Sequence, residues 1–238
     1  MRGRLKKLGY LLVAAGLVFA VAGAVAYTKT QAGYRALESF SEAQNVTLNY
    51  NDAGQLVDRG TVEGAQAIMS LLTDDWGYPV VQSDFDPNDP LVNTATEYMY
   101  QMATIGYHTL HGTQTVTLAE DAEYNGEVIP AGTYEFDVDG RYWTDFDRSN
   151  PIESVAREQA WSGTVHGLFA ELGVGTVTHS ALQLGLALAG LFAAVGILSI
   201  LTGFGMVWVS KGNGVKAPRF VDGEEVDMPK PVDVLASS

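Results

Sequence analysis

Cysteine is absent from the 238-residue chain, which excludes disulfides, thiolate metal sites, a cysteine nucleophile and lipidation of a cysteine. Positive charge is scarce, because 14 Lys and Arg stand against 28 Asp and Glu and give a formal net charge of −14. A protein that binds nucleic acid needs clustered cations, so this balance argues against one. The sequence also lacks the Gly-x-Ser-x-Gly, P-loop, dinucleotide-binding and haem-attachment motifs. The enzyme classes that these motifs identify are therefore not indicated.

Two long runs of the chain contain no Asp, Glu, Lys or Arg. The first is 8–28, and the second has its strongly apolar part at 181–209. As helices they would be roughly 31 and 43 Å long, which is enough to cross a membrane, the second with a tilt. Because neither run holds an Asp, Glu, Lys, Arg or His residue, a transporter or channel acting alone is disfavoured. We predict two transmembrane helices.

The charges outside these runs predict an orientation. Four cations precede the first run within residues 1–7, and Lys211, Lys216 and Arg219 follow the second. Cationic flanks stay in the cytoplasm, so both termini are expected there, with a disordered tail at 210–238. The segment 29–173 carries 23 of the 28 carboxylates and is expected outside the cell. The Ala24-Val25-Ala26 pattern would also suit signal-peptide cleavage, but the length of the run favours an uncleaved anchor.

Small residues recur at four-residue spacing in both predicted spans. Such spacing lets helix backbones approach closely in lipid. This predicts a tight helical hairpin, or docking onto other membrane helices. The alternative is that the pattern reflects the ordinary Ala- and Gly-rich composition of spans. The residues predicted to pack are Gly16, Ala20, Ala24, Gly185, Ala189 and Ala193.

The segment between the spans predicts an α+β domain with a small antiparallel β-meander. Helical patterns cover 28–42, 61–74 with Thr61 as cap, 93–111, and 152–172 behind Ser149 or Asn150. Strand patterns cover 46–50, 113–118, 127–129 and 133–138, and a last strand is expected at 141–143. Tight turns are expected at 125–126 and 139–140. The last helix should lead to the second span through 173–175.

Few residues suggest a metal site. His108 and His111 lie three apart on one predicted helix face and could ligate a metal with His166 or Glu97, but a His-Glu-x-x-His motif is missing. Asp84, Asp86 and Asn88 resemble the start of a calcium loop whose later ligands do not follow the EF-hand pattern. We assign no cofactor, and calcium is the one candidate that stays open.

Aromatic residues are frequent in the outer segment. They could line a sugar-binding surface, although core and partner packing are the more usual roles for such side chains. The set comprises Tyr98, Tyr100, Tyr107, Tyr142, Trp143 and Trp161.

Three stretches resemble a known group of proteins. The segments 97–110 (EYMYQMATIGYHTL) and 141–148 (RYWTDFDR), followed by Pro151 and a second span rich in small residues, resemble actinobacterial two-span membrane proteins of unknown function. The resemblance implies a bacterial origin and the two-span topology, with 113–139 as an insertion. These proteins often carry the name aromatic ring-opening dioxygenase. The iron site of such an enzyme needs two His and a carboxylate, and only His108 and His111 hint at one.

These observations favour a non-enzymatic protein of the bacterial cell envelope. We expect an anchored extracytoplasmic domain that acts as an accessory subunit or partner of a larger membrane complex. Its expected partners are the lipid bilayer and other membrane protein subunits, with no nucleic acid. The alternatives are a calcium- or carbohydrate-binding envelope module and a metal-dependent enzyme centred on His108 and His111.

Overall fold

The computed structural model describes residues 2–211, so most of the expected disordered tail lies outside the described residues. The fold is a mixture of helices and small antiparallel sheets, as predicted. Residues 22–191 form one compact unit, and the described residues on either side of them form a second unit.

Two helices are much longer than the rest. The first, α1, covers Arg2–Gln44, and the last, α5, covers Gly163–Lys211. Each contains an 18-residue window of mean hydropathy above 2, and each is long and apolar enough to cross a membrane. At 1.5 Å per residue the helices measure about 65 and 74 Å, roughly twice the thickness of a hydrocarbon core. Each helix therefore has a polar extension, and the predicted continuation of the first span over 28–42 is confirmed.

Three short helices lie between them, and their starts follow local capping chemistry. Helix α2 (Val62–Ser70) begins after Thr61, whose hydroxyl accepts a hydrogen bond from the Gly64 N–H, and a π-helical turn at Leu71–Asp75 ends it. Helix α3 (Ala95–Leu110) begins with a capping box, and α4 (Pro151–Ala160) begins after the Asn150 cap. The predicted starts near 61, 93 and 151 are confirmed, because capping depends on neighbouring residues alone.

The junction of the last two helices differs from the prediction. A break was expected at 173–175, but α5 is helical there, and the break lies at Trp161-Ser162. Trp161 leaves the helical path and is buried, with its indole N–H donating to the Arg141 carbonyl. Ser162 then caps the new helix, accepting from the Val165 N–H. A buried aromatic side chain, rather than a glycine pair, decides where the helix stops.

The strands form nested hairpins, so the predicted meander is wrong. Strand β1 (Thr113–Leu118) pairs with β4 (Gly132–Asp137), and the hairpin of β2 (Ala122–Tyr124) and β3 (Glu127–Ile129) lies between them in sequence. Thr113 and Thr115 donate hydroxyl hydrogen bonds to Asp137 and Glu135 across the β1–β4 pair. These cross-strand pairs select β4 as the partner of β1.

Both predicted turns exist, but two predicted strands do not. Asn125-Gly126 and Asp139-Gly140 have the positive φ angles of tight turns. The described backbone at 141–143 is not a strand, and the Arg141 carbonyl accepts a hydrogen bond from the Trp161 indole N–H. The segment 46–50 makes isolated bridges, Thr47 to Leu91 and Tyr50 to Leu56, where a strand was expected.

Helix α3 is the centre of the unit formed by residues 22–191. On one side, its Tyr98, Tyr100 and Ala103 pack with Ile68 and Leu72 of the α2 region. On the other side, its C-terminal Leu110 belongs to a second cluster, formed with Leu71, Val138, Phe146, Ala160 and Trp161.

Candidate functional site

Glycines bring α1 and α5 into backbone contact in the unit outside residues 22–191. A Cβ atom at Gly9 would lie 2.7 Å from the Gly203 carbonyl oxygen, and one at Gly16 would lie 2.7 Å from that of Gly196. Real Cβ atoms do not approach oxygen so closely. The helices run antiparallel here, and only glycine fits at these crossings.

Buried positions of α1 show a seven-residue period, and the predicted residues Gly16 and Ala20 both lie against Gly196. Buried positions of α1 recur at Gly9, Gly16, Gly23, Thr30 and Leu37, which is the repeat of a left-handed helix pair. Of the six predicted residues, Gly16 and Ala189 are buried; Ala20, Gly185 and Ala193 are half-buried; and Ala24 is exposed. The sequence-based prediction missed the Gly9-Gly16-Gly23 and Gly196-Gly203 spacings, which were visible in the sequence.

A groove opens where α1, α3 and α5 meet within residues 22–191. We call it the three-helix groove; its volume is about 200 Å³. Apolar side chains dominate the lining, and three of them, Phe40, Val46 and Leu168, are 36–42% exposed. The complete lining is Phe40, Ser41, Gln44, Val46, Val92, Tyr98, Gln101, Ile105, Leu168, Glu171 and Leu172.

Tyr98 fixes the geometry of this groove. Its hydroxyl lies 2.7 Å from the Ser41 hydroxyl of α1. Its ring packs against Gly175 of α5, where an added Cβ atom would lie only 2.8 Å from the ring. The side chain is 4% exposed, and burial raises the pKa of its phenol. One residue of α3 thus contacts both α1 and α5. The sequence indicates Tyr98 only as a member of the aromatic set and does not predict this position between the helices.

His179 of α5 reaches the start of α3. Its Nδ1 accepts a hydrogen bond of 3.1 Å from the Ala95 N–H, so the imidazole is neutral at this position. Burial lowers the pKa of His179. Glu97 is buried beside it, and one of its oxygens accepts from the Asn93 and Thr94 N–H groups. Burial raises the pKa of Glu97 despite these hydrogen bonds. These side chains therefore satisfy the backbone N–H groups of residues 93–95 at the N-terminus of α3.

A second depression lies against α2. We call it the glutamine cleft; it has a volume of about 410 Å³, and its lining among the described residues is uncharged. Three exposed glutamines stand around half-buried apolar side chains. The lining consists of Tyr50, Gly54, Gln55, Leu56, Val62, Ala65, Gln66, Met69, Gln82 and Phe85.

The residues predicted as weak metal ligands are engaged with protein groups. His108 Nε2 lies 3.0 Å from an Asp58 carboxylate oxygen, and His111 Nδ1 lies 2.8 Å from the Tyr107 carbonyl oxygen.

In the acidic loop, the side chains of Asp86 and Asn88 are hydrogen-bonded to each other. The Asp86 carboxylate accepts from the backbone and side-chain amides of Asn88, and Asp84 belongs to a short 3-10 turn. Within residues 2–211, no three His, Asp or Glu side chains are grouped closely enough to hold a metal ion.

The remaining aromatic residues form a packed cluster. The Arg157 guanidinium lies 4.0 Å from the centre of the Trp143 ring, and the Trp161 ring is stacked against Tyr142. Arg157 is 8% exposed, and its Nε and Nη1 atoms find no hydrogen-bond partner among the described residues. The guanidinium charge is compensated by the Trp143 ring and by the Glu158 carboxylate, which lies 3.5 Å from Nη2. Of the six aromatic residues in the predicted set, three are buried, two are half-buried and Tyr142 is exposed.

Comparisons of the chain with protein-family models, with curated proteins and with solved structures found no match.

Proposed function

We propose that the protein is a membrane-anchored, extracytoplasmic accessory protein of the bacterial cell envelope, and that it is a subunit or partner of a larger membrane complex. The observation that carries this proposal is the three-helix groove, an apolar surface with exposed Phe40, Val46 and Leu168. Exposed apolar patches with polar rims are typical of interaction sites. The two long apolar helices support membrane anchoring, and the resemblance to actinobacterial two-span proteins fits the same arrangement.

The position of the groove along its helices identifies the kind of occupant. Phe40 lies twelve residues beyond Thr28, the proposed end of the first span, and Leu168 lies thirteen residues before Ala181, the start of the second. These separations correspond to about 18 and 20 Å along a helix. Headgroups reach only about 5–8 Å beyond the hydrocarbon core. The groove is therefore clear of the bilayer, and its occupant is a protein segment rather than a resident acyl chain.

The charge of the groove rim restricts the chemistry of the segment that can bind there. Glu171 lines the groove and is exposed, while Gln44 and Gln101 supply neutral hydrogen-bonding groups. The surrounding segment carries most of the acid of a chain with net charge −14. Complementary charge guides association and sets specificity. We assign the groove to an apolar segment of a partner membrane protein that carries a Lys or Arg facing Glu171.

The orientation is part of the proposal. Cations flank the proposed spans at their N- and C-terminal ends, and the segment between the spans is acidic. The positive-inside rule then puts both termini in the cytoplasm and the groove outside. A groove on that side would meet the external segments of other membrane proteins.

Site-specific photo-crosslinking in native membranes tests the docking site. A photoreactive amino acid at Val46 should give a discrete adduct with another membrane protein. Leu168→Arg or Glu171→Lys should remove that adduct, since both side chains line the same groove. The control position is Val128, which is 65% exposed on β3 and outside the groove lining.

Four results would contradict the proposal. They are an adduct with lipid, an adduct with a second copy of this chain, equal labelling of the same protein from Val128, and an adduct that survives both substitutions. Unchanged thermal melting of the two variants would show that any lost adduct reflects lost docking rather than unfolding.

A further inference from the structure

We propose that the glutamine cleft binds an uncharged carbohydrate. This site is separate from the three-helix groove, and the two linings share no residue. The inference depends on the proposed function only in placing the cleft outside the cell, where envelope glycans are accessible.

The absence of charge in the described lining is informative, because the chain is strongly acidic. The ten lining residues include neither Asp, Glu, Lys nor Arg, although 42 of the 238 residues are of these types. An ionic ligand would be left without a counter-charge in the cleft, at a cost in desolvation. The cleft therefore suits a neutral ligand.

The polar groups of the cleft match hydroxyl groups. Gln55, Gln66 and Gln82 are exposed, and each amide has two donor hydrogens and an acceptor oxygen. Sugar hydroxyls also donate and accept, so one amide can satisfy two neighbouring hydroxyls. The Gln55 oxygen already accepts from the Asn51 amide at 3.1 Å, which orients its own NH₂ group as a donor.

The floor of the cleft suits the apolar faces of sugar rings. Tyr50, Leu56, Met69 and Phe85 are half-buried in the lining. Ligand sites of this kind combine aromatic and aliphatic area with a few placed polar groups, in volumes of roughly 300–1,000 Å³. The cleft, at about 410 Å³, falls in that range. Phe85 is held by an edge-on contact with Tyr100 at 5.5 Å between ring centres.

The loop that carries Gln55 is fixed before any ligand arrives. The Asn51 side-chain oxygen accepts from the N–H groups of Ala53 and Gln55, and Gly54 supplies the positive φ of 74° that the turn requires. A preformed site loses less entropy on binding than a mobile one. The cleft is thus built as a rigid binding surface.

Titration of the purified full-length chain with neutral oligosaccharides tests the assignment. The probes are malto-, cello-, manno- and arabino-oligosaccharides of four to six units, and the detergent must lack a sugar headgroup. We expect saturable binding of at least one series by calorimetry, with Kd about 1 mM or tighter. High salt should leave it unchanged, because the ligand and the lining are neutral. This measurement does not involve the partner of the three-helix groove, so the two proposals fail independently.

Matched variants locate the binding. Replacing Gln66 and Gln82 together by Ala should weaken it at least about fivefold, the loss of roughly 1 kcal/mol of hydrogen bonding, whereas Gln44→Ala should leave it unchanged. All three glutamines are exposed, and Gln44 lines the groove instead of the cleft. Absence of binding throughout the panel at about 10 mM, or binding that the double variant retains with unchanged melting, would overturn the inference. So would binding that high salt abolishes.

Discussion

The glycine contacts between α1 and α5 predict opposite effects for one substitution at two glycines of the same helix. In Gly196→Ala the new Cβ would lie 2.8 Å from the Ala20 nitrogen and 2.9 Å from the Gly16 carbonyl oxygen. In Gly205→Ala the new Cβ would have no neighbour within 4 Å among the described residues. The pair thus separates the steric effect from the change in helix propensity.

The magnitude follows from the distances. An added methyl needs about 3.5 Å from its neighbours, so the helices at Gly196 must separate by roughly half an ångström or more. Overpacking of this kind costs about 1–3 kcal/mol, offset by up to about 1 kcal/mol from the better helix propensity of Ala. Gly205→Ala keeps only the gain. The Gly196 variant should therefore be less stable than the Gly205 variant by about 1–3 kcal/mol.

Energy transfer between the helix ends measures this difference. The chain has no cysteine, so dyes can be attached to cysteines introduced at Gly3 and Ser210. These ends of α1 and α5 lie close together, because Leu8 and Ser210 line one pocket. Titration with sodium dodecyl sulfate should separate the helices at a lower detergent fraction in Gly196→Ala than in the unsubstituted chain. Gly205→Ala should not shift the midpoint downward. Equal downward shifts in both variants would refute the close approach at Gly196.

Three further predictions concern the unit formed by residues 22–191. Burial lowers the pKa of His179 below 6.5, so the free energy of unfolding should decrease as the pH falls from 6.5 towards that lowered pKa. The variant His179→Gln should flatten this part of a profile of melting temperature against pH. An unchanged slope in the variant would contradict the neutral imidazole. Thr94→Ala should lower the unfolding free energy by about 1 kcal/mol in denaturant titration, since it removes the cap of α3, and a cost near zero would contradict the capping box. Leu72→Ala, at a fully buried position, should cost about 2–5 kcal/mol in the same titration, and a small cost would contradict the core assignment.

Local chemistry explains what could be predicted from the sequence. The starts of α2, α3 and α4 depend on Thr61, on the Thr94–Glu97 pair and on Asn150 before Pro151, and each signal lies within four residues. The turn at Asn125-Gly126 needs only its own two residues. Long uncharged runs likewise predict long apolar helices, because composition alone sets their hydropathy.

Contacts between distant residues explain what could not be predicted. The Ala95 N–H and His179 are 84 residues apart, and the Ser41 and Tyr98 hydroxyls are 57 apart. No pattern along the chain indicates that α3 would lie between α1 and α5, so neither the groove nor the role of Tyr98 could be predicted. The pairing of β1 with β4 likewise joins residues that are separated in sequence, here by the β2–β3 hairpin, so it could not be predicted either.

We propose that two helices anchor residues 29–173 as an outer domain whose surfaces face away from the cytoplasm. Labelling of single introduced cysteines in intact cells with a membrane-impermeant maleimide tests it most directly, using Val128→Cys in the outer domain and Gly3→Cys near the N-terminus. Both positions are exposed, and the chain offers no competing thiol. We expect Val128→Cys to be labelled in intact cells and Gly3→Cys only after the membrane is opened. Labelling of Gly3→Cys alone in intact cells, or recovery of the protein in the soluble fraction, would contradict the account.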